Sequence, residues 1–172
     1  MPFPLFVDLE NRPCLVVGNG AVAARKAKSL ADFGARVSVV APETCGRGFV
    51  ESDVEGMALV VAATDDAAVN RRVAEACRAR GVWVNVVDDP VNCTFVFPAI
   101  CRKGPIVAAV SSGGACPVAA KMVRDKVARL VTDDFANEVA RLGREREEMK
   151  RMHPDPQERK RVYEEMLEKW RD

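Results

Sequence analysis

Small residues at fixed spacing near the N terminus form the first group that could do chemistry. The segment Gly18-Asn19-Gly20-Ala21-Val22-Ala23 follows the apolar run Leu15-Val16-Val17. In a G-x-G-x-x-A pattern the first glycine allows a sharp turn, the second leaves room for a pyrophosphate, and the alanine lets a helix pack closely on a strand. Because the pattern follows a strand and opens a helix, it predicts a dinucleotide site rather than only a strand–turn–helix.

Two neighbouring acids form the second group. Asp88 and Asp89 follow the apolar run Val82–Val87 and precede Pro90. Strand alternation places the two carboxylates on opposite faces, so only one of them can point into a given crevice. Asp88, at the carboxyl end of a strand, fits either a base beside a bound ligand or a turn acid before the proline. We interpret Asp89 as the turn acid.

A loop of serines and glycines forms the third group. Ser111, Ser112, Gly113 and Gly114 precede a helix that begins near Pro117, and such a loop can accept an anion. The alternative is a simple capped helix entry. Between Arg102 and Arg129 there are six basic residues, including Lys121 and Arg124, and one acid. This excess fits a cradle for a polyanionic ligand or a solvated helix face.

Alternating strands and helices must position these groups. The apolar patterns predict strands at 13–17, 35–40, 57–63, 82–90, 94–100 and 105–110, and helices at 21–33, 67–80, 118–130, 132–152 and 156–170. Residues 45–55 have almost no apolar pattern and are expected to form a loop. An apolar stripe in the last helix must either fold back on this chain or pack on a partner. The order predicts an α/β fold that opens with a Rossmann-type parallel sheet.

The residues after the second and third strands bear on the nucleotide. The second strand is followed by Ala41-Pro42-Glu43, with no acid at the strand tip itself, and then by Arg47. An acid in this region holds ribose hydroxyls, whereas an arginine can hold a 2′-phosphate. We favour NAD over NADP, and Glu43 fits either a ribose ligand or an ordinary loop acid. Thr64 follows the third strand and fits either a ligand contact or a helix cap.

Composition excludes several classes of protein. The 172 residues make one domain or a domain with an appendage, and the net charge of +1 gives no argument for nucleic acid or a membrane surface. No apolar run approaches about 18 residues, and the first residues lack a signal-peptide pattern. Six cysteines without a C-x-x-C spacing and a single histidine argue against structural zinc or a disulfide framework. We expect a reduced, cytoplasmic protein.

Seven motifs together resemble the precorrin-2 dehydrogenase family, which forms the N-terminal half of bacterial siroheme synthases. The resemblance covers nearly the whole chain, and the first motif is shared by many oxidoreductases whereas the combination is specific. The motifs are Pro4-Leu5-Phe6, Val16–Ala23 with Arg25-Lys26-Ala27, Val39–Pro42, Ala62–Asp66 with Asn70, Asn85–Pro90, Phe95–Ala99 and Ala109–Gly114 with Pro117.

This resemblance implies a Rossmann domain over residues 1–98, a dimerisation and tetrapyrrole segment over 99–131, a helical region over 132–172, and an intertwined homodimer. It implies that precorrin-2 loses a hydride to NAD and a proton to a base, giving sirohydrochlorin. Some relatives also insert ferrous iron, without dedicated metal ligands. A non-catalytic NAD-sensing module and a chelatase without dehydrogenase activity are the alternatives.

The family's residue roles carry over by position. The resemblance implies that Gly18–Val22 hold the pyrophosphate and that Ala41–Glu43 lie on the adenosine side. It implies that Asp88 is the catalytic aspartate and that Ser112 lies close to the tetrapyrrole. The chain departs from the family in the link from Pro42 to Met57, which is shorter and lacks a helix and a strand. We expect this shorter link to affect the adenine side of the cofactor site more than the residues that take part in the reaction.

Overall fold

The structure is a computed structural model that describes residues 2–171. These residues fall into two compact units, which divide between Phe97 and Pro98. Across residues 2–171 no helix combines the length and the apolar character that crossing a lipid bilayer requires. The first unit carries the glycine turn, and the second carries the serine–glycine loop.

Four parallel strands form the sheet of the N-terminal unit. They are β1 (Pro13–Val17), β2 (Arg36–Val40), β3 (Leu59–Ala62) and β4 (Trp83–Val86), and their order is β2-β1-β3-β4. The chain moves from β1 to β2 on one side and continues with β3 on the other side of β1. The strand order therefore reverses between β1 and β3, which is where open α/β sheets bind ligands at their carboxyl edge. The predicted Rossmann-type sheet is confirmed.

Helices cover both faces of this sheet, as a parallel sheet requires. The first helix, α1 (Ala21–Ala31), packs on one face, and α3 (Ala67–Ala79) packs on the other. The cluster under α1 contains Cys14, Val16, Ala23, Leu30, Leu59 and Val61. The cluster under α3 includes Leu15, Val17, Val60, Val73, Cys77, Val84 and Val86. Alternate residues of β1 and β3 thus belong to different clusters, which fixes the sheet between its two helical layers.

Two short helical elements lie within and just before residues 45–55, where the sequence predicts a loop. These are α2 (Pro42–Cys45) and a 3₁₀ turn (Glu51–Val54). Phe49 is only 7% exposed, Val54 is fully buried, and both belong to the cluster under α3. The loop prediction was wrong here because two isolated apolar residues create no periodicity that a sequence pattern can reveal.

A hairpin begins the C-terminal unit. Strands β5 (Ala99–Lys103) and β6 (Ile106–Val110) pair in antiparallel fashion, and the turn between them contains Gly104, whose φ is +54°. The strand predicted at 94–100 coincides with β5 only at its last two residues, so that prediction was wrong for residues 94–98. Thr94 instead bonds to Val84 of β4, through an amide–carbonyl bond of 2.8 Å and a hydroxyl that accepts the Val84 amide at 2.7 Å.

Helices make up the rest of the C-terminal unit. They are α4 (Pro117–Leu130), α5 (Asp133–Arg144), α6 (Arg146–Met152) and α7 (Pro156–Met166), followed by a 3₁₀ turn at Glu168–Trp170. The single helix predicted over 132–152 is interrupted at Glu145, whose ψ of 3° leaves the helical range. Gly143, a poor helix former, precedes the break. The apolar stripe of the last helix folds back in part, because the Trp170 ring lies 5.5 Å from that of Phe135.

Candidate dinucleotide-binding site

The first glycine of the turn is required by the backbone. Gly18 follows β1 with a φ of +122°, and its amide donates to the carbonyl of Val40 at 2.9 Å. A Cβ atom at this position would collide with the carbonyl of Ala63, just beyond β3. Only glycine therefore allows the turn and the β3 end to approach so closely.

The second glycine lies at an open helix N terminus. Gly20 is the N-cap of α1, with a φ of −75°, and apart from its two chain neighbours no described residue has an atom within 4 Å of where a Cβ would lie. The N-cap makes no side-chain hydrogen bond within the described chain, and the first turn of α1 contains no acid. The first-turn amides and the positive end of the helix dipole thus face free space, so the residues present fit a pyrophosphate.

The neighbouring residues of the turn differ in burial. Asn19 and Ala21 are exposed and Val22 is half-buried, whereas Ala23 is 1% exposed and packs in the cluster under α1. This placement gives Ala23 the packing role that the third small residue of the motif has.

Thr64 is held by a buried amide. Its hydroxyl donates to Asn70 Oδ1 at 2.8 Å, its backbone amide donates to the same oxygen at 3.2 Å, and Asn70 Nδ2 donates to the Thr64 carbonyl at 2.9 Å. Asn70 is 8% exposed. The cap of α3 is Asp66, which accepts from the amides of Ala68 and Val69. The helix cap predicted within residues 64–66 is thus Asp66 and not Thr64. Asn70, whose role sequence reasoning missed, fixes the loop beside Gly18.

Asp88 and Asp89 have separate environments beyond β4. β4 ends at Val86, so the strand predicted over 82–90 was too long, and its alternation does not extend to the two acids. Asp88 is exposed and has a φ of +58°, which is uncommon for a residue with a side chain. Asp89 accepts from the amide and the side chain of Asn92 at 3.3 and 2.6 Å. Asp89 is thus the turn acid, as expected.

The residues after β2 enter a short helix. Ala41 is 4% exposed and Pro42 begins α2. Thr44 completes the turn, because its hydroxyl accepts from the Ala41 amide at 3.1 Å. Glu43 is exposed in the first turn of α2 and has no ion-pair partner in the described part of the chain. Its carboxylate is therefore open to solvent.

The serine–glycine loop and the basic residues lie in the C-terminal unit. The hydroxyl of Ser111 accepts from the amide of Gly113 at 3.1 Å, and that of Ser112 accepts from the amide of Cys116 at 3.0 Å. Both serines therefore shape the entry to α4. Lys121 is exposed, whereas Arg124 donates to Asp125 at 2.6 Å and to the Ile100 carbonyl at 3.2 Å.

One lysine of the N-terminal unit has a perturbed environment. The ammonium group of Lys26 on α1 lies 3.7 Å from the centroid of the Phe97 ring. Burial, and secondarily the charge of Arg25, lowers the pKa of Lys26 below its ordinary value. This cation–π contact ties residues 95–97 to α1. Within residues 2–171 no three metal-ligating side chains (His, Cys, Asp or Glu) come together.

A parallel sheet whose order reverses beside a glycine turn and an open helix N terminus defines the N-terminal unit as a Rossmann-type dinucleotide-binding domain. Comparison with known families agrees. The chain belongs to the family described as "Putative NAD(P)-binding", whose profile matches residues 5–99.

Several curated proteins and one solved structure are similar to the chain. It is 42% identical to a siroheme synthase of Ectopseudomonas mendocina and 41% identical to one of Methylococcus capsulatus, in each case over 96% of its own length. It spans only 38% of each of those proteins. A solved structure titled "SirC, precorrin-2 dehydrogenase" shares the fold, with a TM-score of 0.73 and 24% identity over 96% of this chain and 89% of that one.

Proposed function

We propose that the chain is an NAD-dependent dehydrogenase that converts precorrin-2 to sirohydrochlorin in siroheme synthesis. Support comes from its similarity to siroheme synthases along 96% of its length. The observation that carries the chemistry is Asp88, whose exposed carboxylate follows β4 on a left-handed backbone. A residue held in a sparsely populated backbone conformation at the ligand edge of a sheet is typical of functional sites.

The cofactor contacts follow from the glycine turn. Gly18–Val22 would hold the pyrophosphate at the N terminus of α1, and the opening in front of Gly20 gives it room. The residues Ala41, Pro42 and Glu43 would lie on the adenosine side. Thr64, held by Asn70, would border the site from the end of β3.

The reaction removes two hydrogens, one as a hydride and one as a proton. NAD, when bound, supplies the hydride acceptor. Asp88 would take the proton, because its carboxylate is exposed beyond the end of β4 and can pass the proton on to water. Asp89 cannot share this task while its oxygens accept from Asn92.

The substrate carries many carboxylates, which fits the basic residues of the C-terminal unit. We assign its binding to Ser111, Ser112, Gly113, Lys121 and Arg124. The exposed charge of Lys121 is free for a carboxylate, whereas Arg124 already contacts Asp125 and would need to rearrange. Lys121 is therefore expected to contribute more to substrate affinity than Arg124.

A homodimer is supported by the exposed apolar face of α4. Val118, Met122, Val123 and Leu130 are between 48% and 77% exposed, which is unusual for four apolar residues of one helix in an isolated subunit. We also place the reaction in the cytoplasm, where the six cysteines would remain thiols.

An anaerobic assay tests the function. Protein, NAD and precorrin-2 are mixed, and NADH and the sirohydrochlorin spectrum are followed by absorbance. Formation of both supports the dehydrogenase. An NAD-sensing module would bind NAD and form neither, and a chelatase would act only when sirohydrochlorin and ferrous ion are supplied without NAD.

A further inference from the structure

An arginine lies close to the tip of β2, where nucleotide-binding sheets distinguish NAD from NADP. The sulfur of Cys45 lies 3.3 Å from the carbonyl oxygen of Ala41 and 3.4 Å from that of Arg47. The backbone of Arg47 therefore lies next to the first residue after β2. An arginine in this region ordinarily binds the 2′-phosphate of NADP.

The guanidinium group of Arg47 is already occupied. It makes two parallel bonds to Asp53, of 2.8 Å from Nη1 to Oδ2 and 2.6 Å from Nη2 to Oδ1, and Nη1 also donates to the Gly48 carbonyl at 3.0 Å. This is the bidentate geometry that an arginine would use for a phosphate. The bond from Arg47 also lowers the pKa of the Asp53 carboxyl, which keeps it ionised.

The partner of Arg47 is fixed in place. Asp53 also accepts from the amide of Val50 at 2.9 Å, and its side chain is only 10% exposed, against 48% for Arg47. The buried residues Phe49 and Val54 hold the same segment in the core. To bind Arg47, a 2′-phosphate would thus have to displace the carboxylate of Asp53, which is held in place by the Val50 amide and the buried segment.

We propose that Asp53 is a specificity-determining residue, which withholds Arg47 from the 2′-phosphate and makes the site select NAD over NADP. The proposal rests on the cofactor role proposed above. With Arg47 neutralised, Glu43 is an exposed and unpaired carboxylate in the described segment between β2 and β3, and it repels a phosphate. The ion pair of Arg47 and Asp53 therefore creates selectivity by weakening the binding of NADP and not by strengthening the binding of NAD.

Binding of NADH and NADPH, measured by nicotinamide fluorescence, tests this proposal. The variant Asp53→Asn keeps an oxygen for the Val50 amide but removes the charge that holds Arg47. We expect its affinity for NADPH to rise about tenfold or more, while that for NADH stays within about threefold of the wild-type value. The gain should weaken as salt is raised, because the new contact is between charges.

Two controls separate selectivity from structure. Adding Arg47→Met to Asp53→Asn should remove the gain in NADPH affinity, because no guanidinium is left to bind the phosphate. Asp53→Ser is the second variant should the first not fold. A folded variant that binds NADH but gains no NADPH affinity overturns the proposal and leaves the ion pair a scaffold only. Wild-type protein that binds neither nucleotide would instead contradict the proposed cofactor.

Discussion

The carbonyl group of Ala63 stands where a Cβ atom on Gly18 would have to be. Gly18 also has a φ of +122°, whereas Gly20 has an extended backbone with open space around the position of a Cβ atom. The two glycines of one motif therefore have different functions. Gly18 permits the fold, because it lets β1 and the end of β3 meet, and Gly20 leaves the space before α1 open.

The variant Gly20→Val should lose nucleotide binding without losing stability. The branched side chain fills the space before the α1 amides, so we expect the Kd for NADH to rise about tenfold or more. The melting temperature should change by only about 2 °C. Gly18→Ala is the matched control and should be destabilised by roughly 1–3 kcal/mol. Fluorescence titration and thermal denaturation measure both, and unchanged NADH affinity in Gly20→Val contradicts the pyrophosphate site.

The variant Asp88→Asn should lose turnover and keep its cofactor. Asparagine tolerates a positive φ better than alanine does, so the change removes the charge with little strain at this position. We expect kcat to fall about 10²–10⁴-fold, as for the loss of a general base, with NADH affinity retained. Asp89→Asn, which can still accept from Asn92, is the control and should remain active. Near wild-type turnover in Asp88→Asn would mean that another group takes the proton.

Much of the sheet could be predicted because its strands are buried on both sides. β1 was predicted with its observed bounds, and α3 ends one residue before the predicted end. The prediction of a strand at 94–100 was largely wrong, and the reason is physical. The side chains of Phe95 and Phe97 pack against the cluster under α1 without belonging to a strand. A pattern of apolar residues cannot distinguish this packing from that of a buried strand.

The residues of the site could be predicted only where a residue type at a given spacing is typical of a single structural role. The spacing of small residues between a strand and a helix is specific, so the turn at Gly18 and the helix start at Gly20 could be predicted from the sequence. Asn70 could not, because an asparagine within a helix gives no sign that its amide will bond to Thr64 six residues earlier. The pairing of Arg47 with Asp53 was equally hidden, since a loop pattern does not show which charges meet.

Replacing Asn70 with alanine should destabilise the protein. The backbone amide and carbonyl of Thr64 would lose their partner, which costs about 1–3 kcal/mol in the free energy of unfolding. NADH binding should weaken as well, because the loop beside Gly18 is no longer fixed. Thr64→Val is the control, since it removes the hydroxyl but keeps both backbone bonds. Urea denaturation measures the free energy of unfolding of each variant. An equal decrease in the two variants would contradict this role of Asn70.

The ion pair of Arg47 and Asp53 should make stability depend on pH. Its hydrogen bond lowers the pKa of Asp53 in the folded state below the unfolded value of about 3.9. The pair therefore stabilises the fold above that value, and the contribution is lost as the pH falls through the lower, folded-state pKa. Wild type should melt higher than Asp53→Asn at pH 7, and the difference should shrink below about pH 4. Melting curves from pH 7 to pH 3 measure this, and a constant difference argues against the pair.

The exposed face of α4 should hold a second copy of the chain. Met122 is 59% exposed on a helix whose Val118 and Leu130 are also exposed, and burying these side chains at an interface removes apolar surface from water. Met122→Glu would place an unpaired charge there, so we expect the dimer Kd to rise about 100-fold or more. Met152→Glu is the matched control, because Met152 is 57% exposed but lies on α6. Size-exclusion chromatography with light scattering should show a dimer for wild type and the control and a monomer for Met122→Glu. If wild type and both variants are dimers, the interface does not include this face of α4. Burying an unpaired glutamate at position 122 in an interface would cost enough free energy to dissociate the dimer.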